Sequence, residues 1–228
     1  AGQSDFESLE QVGEMAWKMH DQPDAGLWEF RTRQEVHTYS VLMSWAACGR
    51  IATVAERLGL IDKCEFWRDR AAKIRARIEE DAWHEEGQHY ASALGGSHLD
   101  ASLLQMIDLG FLKPEDERFQ KTFAAIEKGL RRGEHMLRYD AEDDFGLPET
   151  AFNICTFWLM EALHLAGREE EARALFETML SHRTKSGLLS EDLDFNNGEL
   201  WGNFPQTYSL VGIINCATLL SRPWSVIR

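Results

Sequence analysis

Two carboxylates in this sequence stand where acid–base chemistry could be done. Glu29 lies in DQPDAGLWEFRTRQEV at 21–36, where Pro23, Asp24 and Gly26 make a turn and Trp28 is the immediate neighbour. A carboxylic acid held against an indole has its charged form disfavoured, which is what a general acid working near neutral pH needs. The plain alternative is a surface ion pair with Arg31 or Arg33. Glu191 lies in TKSGLLSEDLDFNNGELWGNFP at 184–205, among Asp192, Asp194 and Glu199 and close to Trp201 and Phe204. Aromatic faces stack on the C–H faces of a pyranose while carboxylates take its hydroxyls, so this mixture suits a sugar. A solvated acidic loop with Trp201 folded into the core is the alternative, and for Asp192, Asp194 and Glu199 it is the preferred reading. A third segment, His135 to Glu149, adds Arg138-Tyr139 and the acidic run Asp140, Glu142, Asp143 and Asp144. Arg138 could donate a pair of hydrogen bonds to hydroxyls or simply neutralise that run. No GxSxG and no phosphate-binding glycine loop occurs. A carboxylate pair therefore remains as the catalytic option. Such a pair hydrolyses glycosidic bonds with inversion at a separation of roughly 6.5–9.5 Å and with retention at about 5–5.5 Å.

The elements that must position these loops are helical. Hydrophobic periodicity predicts helices over 6–19, 38–58, 64–82, 101–109, 115–131, 150–166, 168–182 and 206–220. The first is capped by Ser4 or Asp5 and carries Phe6, Leu9, Val12, Ala16 and Met19 on one face. Asp100 caps the fourth. The second, fourth, sixth and eighth are apolar nearly all round; the others carry one apolar stripe. A helix apolar on all sides must be covered on all sides, so strict alternation predicts an inner and an outer layer, as in an α/α toroid. A helical-repeat solenoid also alternates, but no fixed repeat is found here. The long linkers all run from an outer to an inner helix, which groups them at one end, where binding and catalysis concentrate. One small β-hairpin is predicted in the linker 83–99, because His89 to Leu94 is strand-like and precedes Gly95-Gly96.

Composition narrows the partners. Lys and Arg number 24 against 38 Asp and Glu, a net charge of -14, which repels a phosphate backbone or an anionic membrane and leaves neutral sugars unopposed. No stretch has the roughly 20 apolar residues of a membrane helix. Cys48, Cys64, Cys155 and Cys216 form no CxxC pair and read as small buried thiols, which suits a cytoplasmic location. His84 and His89 flank the hairpin without ligand spacing, so they read as solvated surface histidines; neither a metal nor a cofactor is called for.

Several ordered motifs resemble family 15 of the glycoside hydrolases, the glucoamylase and bacterial trehalase-like enzymes. PDAGLWEFR at 23–31 resembles their acid motif and HTYSVLMSWAACGR at 37–50 the inner helix that follows it. LDASLLQMIDLGFL at 99–112, AFNICTFWLMEALHLAGREEEARALFE at 151–177, GLLSEDLD at 187–194 and GNFPQTYSLVGIIN at 202–215 continue the match in order. Gly49, Asn153 and Val41 depart from the family pattern. The resemblance implies an all-α fold, a partial (α/α)6 barrel of about eight of twelve helices. It implies inversion at an α-glucosidic carbon, with Glu29 as general acid and Glu191 as the base that activates water. Trp28, Arg138 and Tyr139 match sugar-holding positions, Glu149 lies beside them, and Phe152 matches an aromatic wall. Together with Trp201 these make the expected substrate site for an α-glucoside. By this reading, residues 1–228 are one catalytic domain lacking the barrel's first helices, with exposed apolar sides that a second chain could cover. The competing readings are a non-catalytic helical binding or assembly module descended from such an enzyme, and a sugar isomerase or epimerase using His37, His84 or His135.

Overall fold

Leucine, alanine and methionine at helical spacing, with Pro confined to the joints, dictate the elements seen in the computed structural model, which describes residues 2–143 and 146–221. In chain order these are α1 (Gln3–Met19), α2 (Thr38–Arg57), α3 (Ile61–Asp81), β1 (Trp83–His84), β2 (His89–Tyr90), a 3-10 turn (Ala101–Leu104), α4 (Gln105–Asp108), α5 (Glu117–Leu130), β3 (Arg131–Arg132), β4 (His135–Met136), β5 (Ala151–Phe152), α6 (Asn153–Leu165), α7 (Glu169–Ser181), β6 (Asp192–Leu193), β7 (Leu200–Trp201) and α8 (Thr207–Ser221). The chain divides into two compact units, Ala1–Ser97 and His98–Arg228.

In the first unit α3 buries Cys64, Trp67, Ala71, Ile74 and Ile78 along one stripe, and its charged residues other than Arg70, which lies over the Trp17 and Phe66 rings, face away from it. α2 buries Val41, Leu42, Ala46, Cys48, Ile51, Ala52 and Ala55. The face expected of α1 is not the packed one. Phe6 and Gly13 are buried, while Leu9, Val12 and Met19 are exposed, together with Met15. The reason is local: a Cβ at Gly13 would sit 2.4 Å from Ile51 and 2.7 Å from Trp67. Gly13 lets α1 lie close on α2 and α3, and that close approach, not the wider apolar stripe, sets the roll of the helix. Glu10, on the same side, accepts from the Trp67 indole at 3.0 Å and from Lys63. The helix also starts earlier than expected, with Gly2 at the N-cap and the Gly2 amide donating to the Asp5 carboxylate at 2.8 Å.

In the second unit α6 is the element covered on all sides: every residue from Asn153 to Met160 is buried. α5 presents Phe119, Phe123, Ile126 and Leu130 inward, as its stripe predicts, and α7 presents Ala172, Leu175 and Met179, with Phe176 of the expected stripe only half-buried. α8 is apolar all round yet buries only one face, Ser209, Gly212, Cys216, Leu219 and Leu220; Tyr208, Val211 and Ile214 are exposed. The fourth predicted helix is a 3-10 turn followed by a single α-turn, with the Asp100 carboxylate accepting from the Ser102 amide at 2.7 Å as the cap requires. The sixth starts three residues later than expected, because Ala151 and Phe152 pair with Leu193 and Asp192 as a strand.

The single expected hairpin becomes three small sheets among the described residues: β1-β2, β3-β4 and β5-β6-β7, all antiparallel. All four cysteines are free and buried. His89 is buried rather than solvated, since it faces inward from β2 and bonds through Nδ1 to the Tyr90 carbonyl. No helix among the described residues is long and apolar enough to cross a membrane. No group of three or more His, Cys, Asp or Glu that could hold a metal ion is found there.

Candidate functional site

The first unit contributes Trp28 and Glu29, on the linker between α1 and α2. That linker is closed on itself by its backbone. Asp24 and Glu35 exchange hydrogen bonds at 2.9 and 3.1 Å, the Gly26 amide donates to the Asp24 carboxylate at 2.7 Å, and Phe30 N–H donates to Ala25 at 2.9 Å. Phe30 stacks on the His37 ring with centroids 5.7 Å apart, and the Arg33 guanidinium lies 3.8 Å over the Phe30 ring. The linker is pinned to the segment after β2 through Thr38, whose hydroxyl donates to Ala91 at 2.6 Å, and through the Leu94 amide on Val36. At its apex Glu29 has φ of 54°, a left-handed conformation that costs a non-glycine residue about 1–3 kcal/mol. Its side chain is exposed, so the burying wall expected of Trp28 does not enclose it within this unit, where Trp28 itself is half-buried.

The second unit holds the other six expected site residues. The register of the three-stranded sheet sets Phe152, Asp192 and Trp201 in one cross-strand row, while Ala151, Leu193 and Leu200 form the adjacent row. Cross-strand partners share a face of a sheet. Leu193 and Ala151 are fully buried, so their row faces the core; the Phe152 row faces the other way. Arg138 joins that row, its guanidinium 5.3 Å from the Phe152 ring centroid and 5.4 Å from that of Tyr139. Backbone pairing at Asp100–Tyr139 and the Ala101 amide on the Arg138 carbonyl at 2.8 Å fix that segment. The Tyr139 hydroxyl donates to Asp143. Trp201 is 52% exposed at the open end of the row, so it is not folded into the core. Glu149 is exposed, and no hydrogen bond among the described residues draws it to the others. Asp144 lies outside the described residues.

Glu191, just ahead of β6, is gripped at both ends. Its backbone N–H donates to Asn203 and its carbonyl accepts from the Asn153 amide, each at 2.9 Å. Its Oε2 accepts from the Asn203 side-chain amide at 2.9 Å and from the Asn203 backbone at 3.2 Å; its Oε1 accepts from the Gln206 side-chain amide at 3.2 Å. Gly202, with φ of 75°, passes so close that a Cβ there would lie 2.9 Å from Oε2. The preceding Ser190 carbonyl accepts from the Asn153 side chain at 2.9 Å and from the Ser209 hydroxyl at 2.7 Å. Asn153, which departs from the family pattern as a polar residue in an apolar run, is thus the buried anchor of the Glu191 segment.

Asp192 does not belong to a solvated loop. Burial pushes its carboxyl up to about 6; Arg138 pulls it down, the neighbouring Glu191 adds to the rise, and a Thr150 hydrogen bond opposes it. Its Oδ1, the Arg138 Nε and the Asn153 Oδ1 are all buried and have no hydrogen-bond partner among the described residues. Polar atoms left unpaired in a buried site cost free energy, and a ligand rich in hydroxyls would supply what they lack. Asp192, Asn153, Asn203 and Gln206 were not found from sequence as site residues. The alternation of Asp192 and Leu193 ahead of the aromatic Trp201 was the one available cue, and it is too short to read without its partner strand.

Within its own unit each histidine named as a proton carrier is packed against a neighbouring ring. His37 is packed against Phe30, and His84 lies 5.4 Å from His89 across β1-β2. His135 is buried 5.3 Å from His182, its pKa pushed down by burial and by that neighbour.

The chain is 35% identical to a trehalase of Thermoplasma volcanium over 91% of its own length and 33% of that protein. It is 34% identical to a trehalase of Mycobacterium tuberculosis over 94% of its length and 34% of that protein. It therefore spans about a third of the length of these relatives. A bacterial glucoamylase complexed with acarbose has the same fold over 93% of this chain and 37% of its own, with a TM-score of 0.78 at 14% identity. The fold is accordingly all-α, a part of the helical barrel of the glucoamylases. The sequence model for glycosyl hydrolases family 15 matches residues 12–218, which include both candidate carboxylates, and the chain belongs to that family.

Proposed function

We propose that this chain carries the two catalytic carboxylates of an inverting α-glucoside hydrolase. Glu191 takes a proton from a water whose oxygen bonds to the anomeric carbon. The glycosidic C–O bond breaks, its electron pair goes to the leaving oxygen, and that oxygen takes the proton of Glu29. The water attacks the face opposite the leaving group, so an α-linked sugar yields a β-anomer. Trp28, Arg138, Tyr139, Phe152 and Trp201 hold the sugar, Glu149 borders it, and no cofactor takes part. The relatives named trehalase favour an α,α-linked glucose disaccharide as the substrate over other α-glucosides.

What supports this reading most is that the family match runs continuously through Glu29 and Glu191, and that the latter is an oriented carboxylate beside buried, unpaired polar atoms. The test is hydrolysis of trehalose and maltose by the wild-type chain, Glu29→Gln and Glu191→Gln. Each variant loses turnover by at least ~1,000-fold with its melting temperature retained, as removal of an essential acid or base requires. Full activity in either variant rejects that residue's role, and an initial α-anomer rejects inversion.

A second reading rests on the exposed apolar side of α1, where Leu9, Val12, Met15 and Met19 are 42–66% exposed, and on Val211 and Ile214 of α8. Such stripes fit a module that packs against another polypeptide. Sugar-independent association at micromolar concentration, without hydrolysis by the purified chain, would favour it.

A further inference from the structure

We infer that Asn203 and Gln206 are the positioning residues of Glu191, and that they select Oε1 as the oxygen that meets the water. The inference deepens the reading of Glu191 as the base and rests on it.

The two carboxylate oxygens are not equivalent. Oε2 receives two donors, the Asn203 side chain at 2.9 Å and the Asn203 backbone at 3.2 Å. It is also the oxygen that a Cβ at Gly202 would meet at 2.9 Å, so the backbone of the strap 202–206 covers it closely. A carboxylate oxygen has about two lone-pair sites, and both of those on Oε2 are taken. Oε1 receives one donor, the Gln206 amide at 3.2 Å, and keeps an open site. A base must offer a lone pair to the water it activates, and Oε1 is the oxygen that has one.

The strap is itself anchored away from the carboxylate. The Asn203 carbonyl accepts from the Glu191 amide at 2.9 Å, and the Gln206 amide donates to Leu189 at 3.0 Å. These backbone bonds hold residues 189–191 and 203–206 together whatever the side chains of Asn203 and Gln206 do. The segment keeps its fold without the two amides, so they are available for orientation. A misplaced base loses rate steeply, since proximity and alignment supply much of catalysis. When Oε1 takes the proton from water, the O–H bond breaks and its electron pair becomes the new bond to the anomeric carbon. The amide donors stay on the carboxyl throughout and do not gain or lose a proton.

Two measurements on the whole chain test this. Asn203→Leu and Gln206→Met keep approximate side-chain size and remove the donors. Each lowers kcat for trehalose by ~10–100-fold, with KM within about twofold of wild type and the melting temperature unchanged. Asn203→Gln, which keeps a donor on a longer stem, recovers part of the Asn203→Leu loss. In 15N-labelled protein the side-chain amide resonances of Asn203 and Gln206 move in Glu191→Gln, a readout independent of turnover. Wild-type kcat in both donor-free variants, or a loss of melting temperature with kcat retained, overturns the positioning role. Amide resonances that stay in place overturn the contacts themselves. If Glu191→Gln hydrolyses trehalose normally, or the wild-type chain hydrolyses no α-glucoside, the functional reading fails and with it the role in selecting the water; the resonances still decide the contacts.

Discussion

The linker around Glu29 is fixed through its backbone and leaves the carboxyl exposed, whereas the segment around Glu191 is fixed through the carboxyl itself. In the first, the bonds run between Asp24, Gly26, Ala25, Phe30 and Glu35, and Glu29 stands at the apex in a left-handed conformation. In the second, three donors from Asn203 and Gln206 end on the two oxygens of Glu191. The difference matches the two tasks proposed for them. An acid that follows a departing oxygen gains from a carboxyl with room to turn. A base that aims one water gains from a carboxylate that cannot.

Among changes that leave both carboxylates in place, the largest expected effect comes from breaking the second arrangement at its tightest point. Gly202→Ala forces a Cβ to within 2.9 Å of Glu191 Oε2 and places a Cβ at φ of 75°. The carboxylate must move, and a displacement of this kind costs ~100-fold in kcat. The left-handed strain adds ~1 kcal/mol of lost stability. Steady-state kinetics and a thermal melt on the same preparation separate the two. Wild-type kcat in Gly202→Ala would show that the close approach has no consequence for turnover.

The two units should also part company with pH. In the second, burial raises Asp192 to about 6, and burial with the nearby Asp108 raises Glu161 to about 7 against a Gln105 hydrogen bond. An acid whose folded pKa lies above its unfolded value stabilises fully below the unfolded value, and the contribution is lost as pH rises through the folded one. The window therefore runs from about pH 4 to about pH 7 for this unit. At pH 8 each buried charge costs on the order of 3 kcal/mol. In the first unit the trend is opposite. Burial raises Glu10, but the bonds from Trp67 and Lys63 outweigh it, and Asp21 is lowered by its Gln22 hydrogen bond. Their contribution is present above the ordinary carboxylate range and is lost only as pH falls through the lowered values. Hydrogen exchange followed from pH 5 to 8 should show protection falling in α6 and β6 while α1–α3 hold. Asp192→Asn and Glu161→Gln should each remove part of the fall.

How much of this contrast can be read in the sequence depends on the range of the interactions. The stripes of α3, α5 and α7 are legible because each uses contacts within one helix at 3.6-residue spacing. The roll of α1 is not, because Gly13 carries no apolar label and acts only through Ile51 and Trp67 of two other helices. The strands of two residues cannot be read alone, since a two-residue strand has no period; β5 and β6 exist through partners some forty residues apart. The same reasoning divides the site. Glu29 and Glu191 are visible through local motifs, whereas the roles of Asn153 and Gln206 arise from bonds across the β5-β6 pairing and the strap. Asp192 looks like one more acid in an acidic loop until its neighbour Leu193 is seen to face the core.

The anchor at Asn153 offers a smaller test on the Glu191 side. Asn153→Ala removes the donor to Ser190 and leaves that carbonyl only its Ser209 bond. Loss of one buried bond costs about 1–3 kcal/mol. If the anchor also sets the base, kcat falls with stability; if kcat holds at a temperature where the variant is fully folded, Asn203 and Gln206 suffice alone.

The smallest effect is expected on the Glu29 side, at Arg33. Its guanidinium lies 3.8 Å over Phe30, which is stacked on the buried His37 ring, and its ion pair with Glu35 is loose at 3.8 Å. Arg33→Ala should cost ~1 kcal/mol, a cation–π contact at a partly exposed site. Arg33→Met keeps the packing over Phe30 and removes the charge, so it should recover part of that loss. Because the backbone bonds among residues 24–35 hold the apex without Arg33, neither variant should change kcat more than about twofold, against the ~100-fold at Gly202. A large kcat loss in Arg33→Ala with the fold intact would mean that the Glu29 carboxyl also depends on side-chain support, and the two arrangements would then differ in degree rather than in kind.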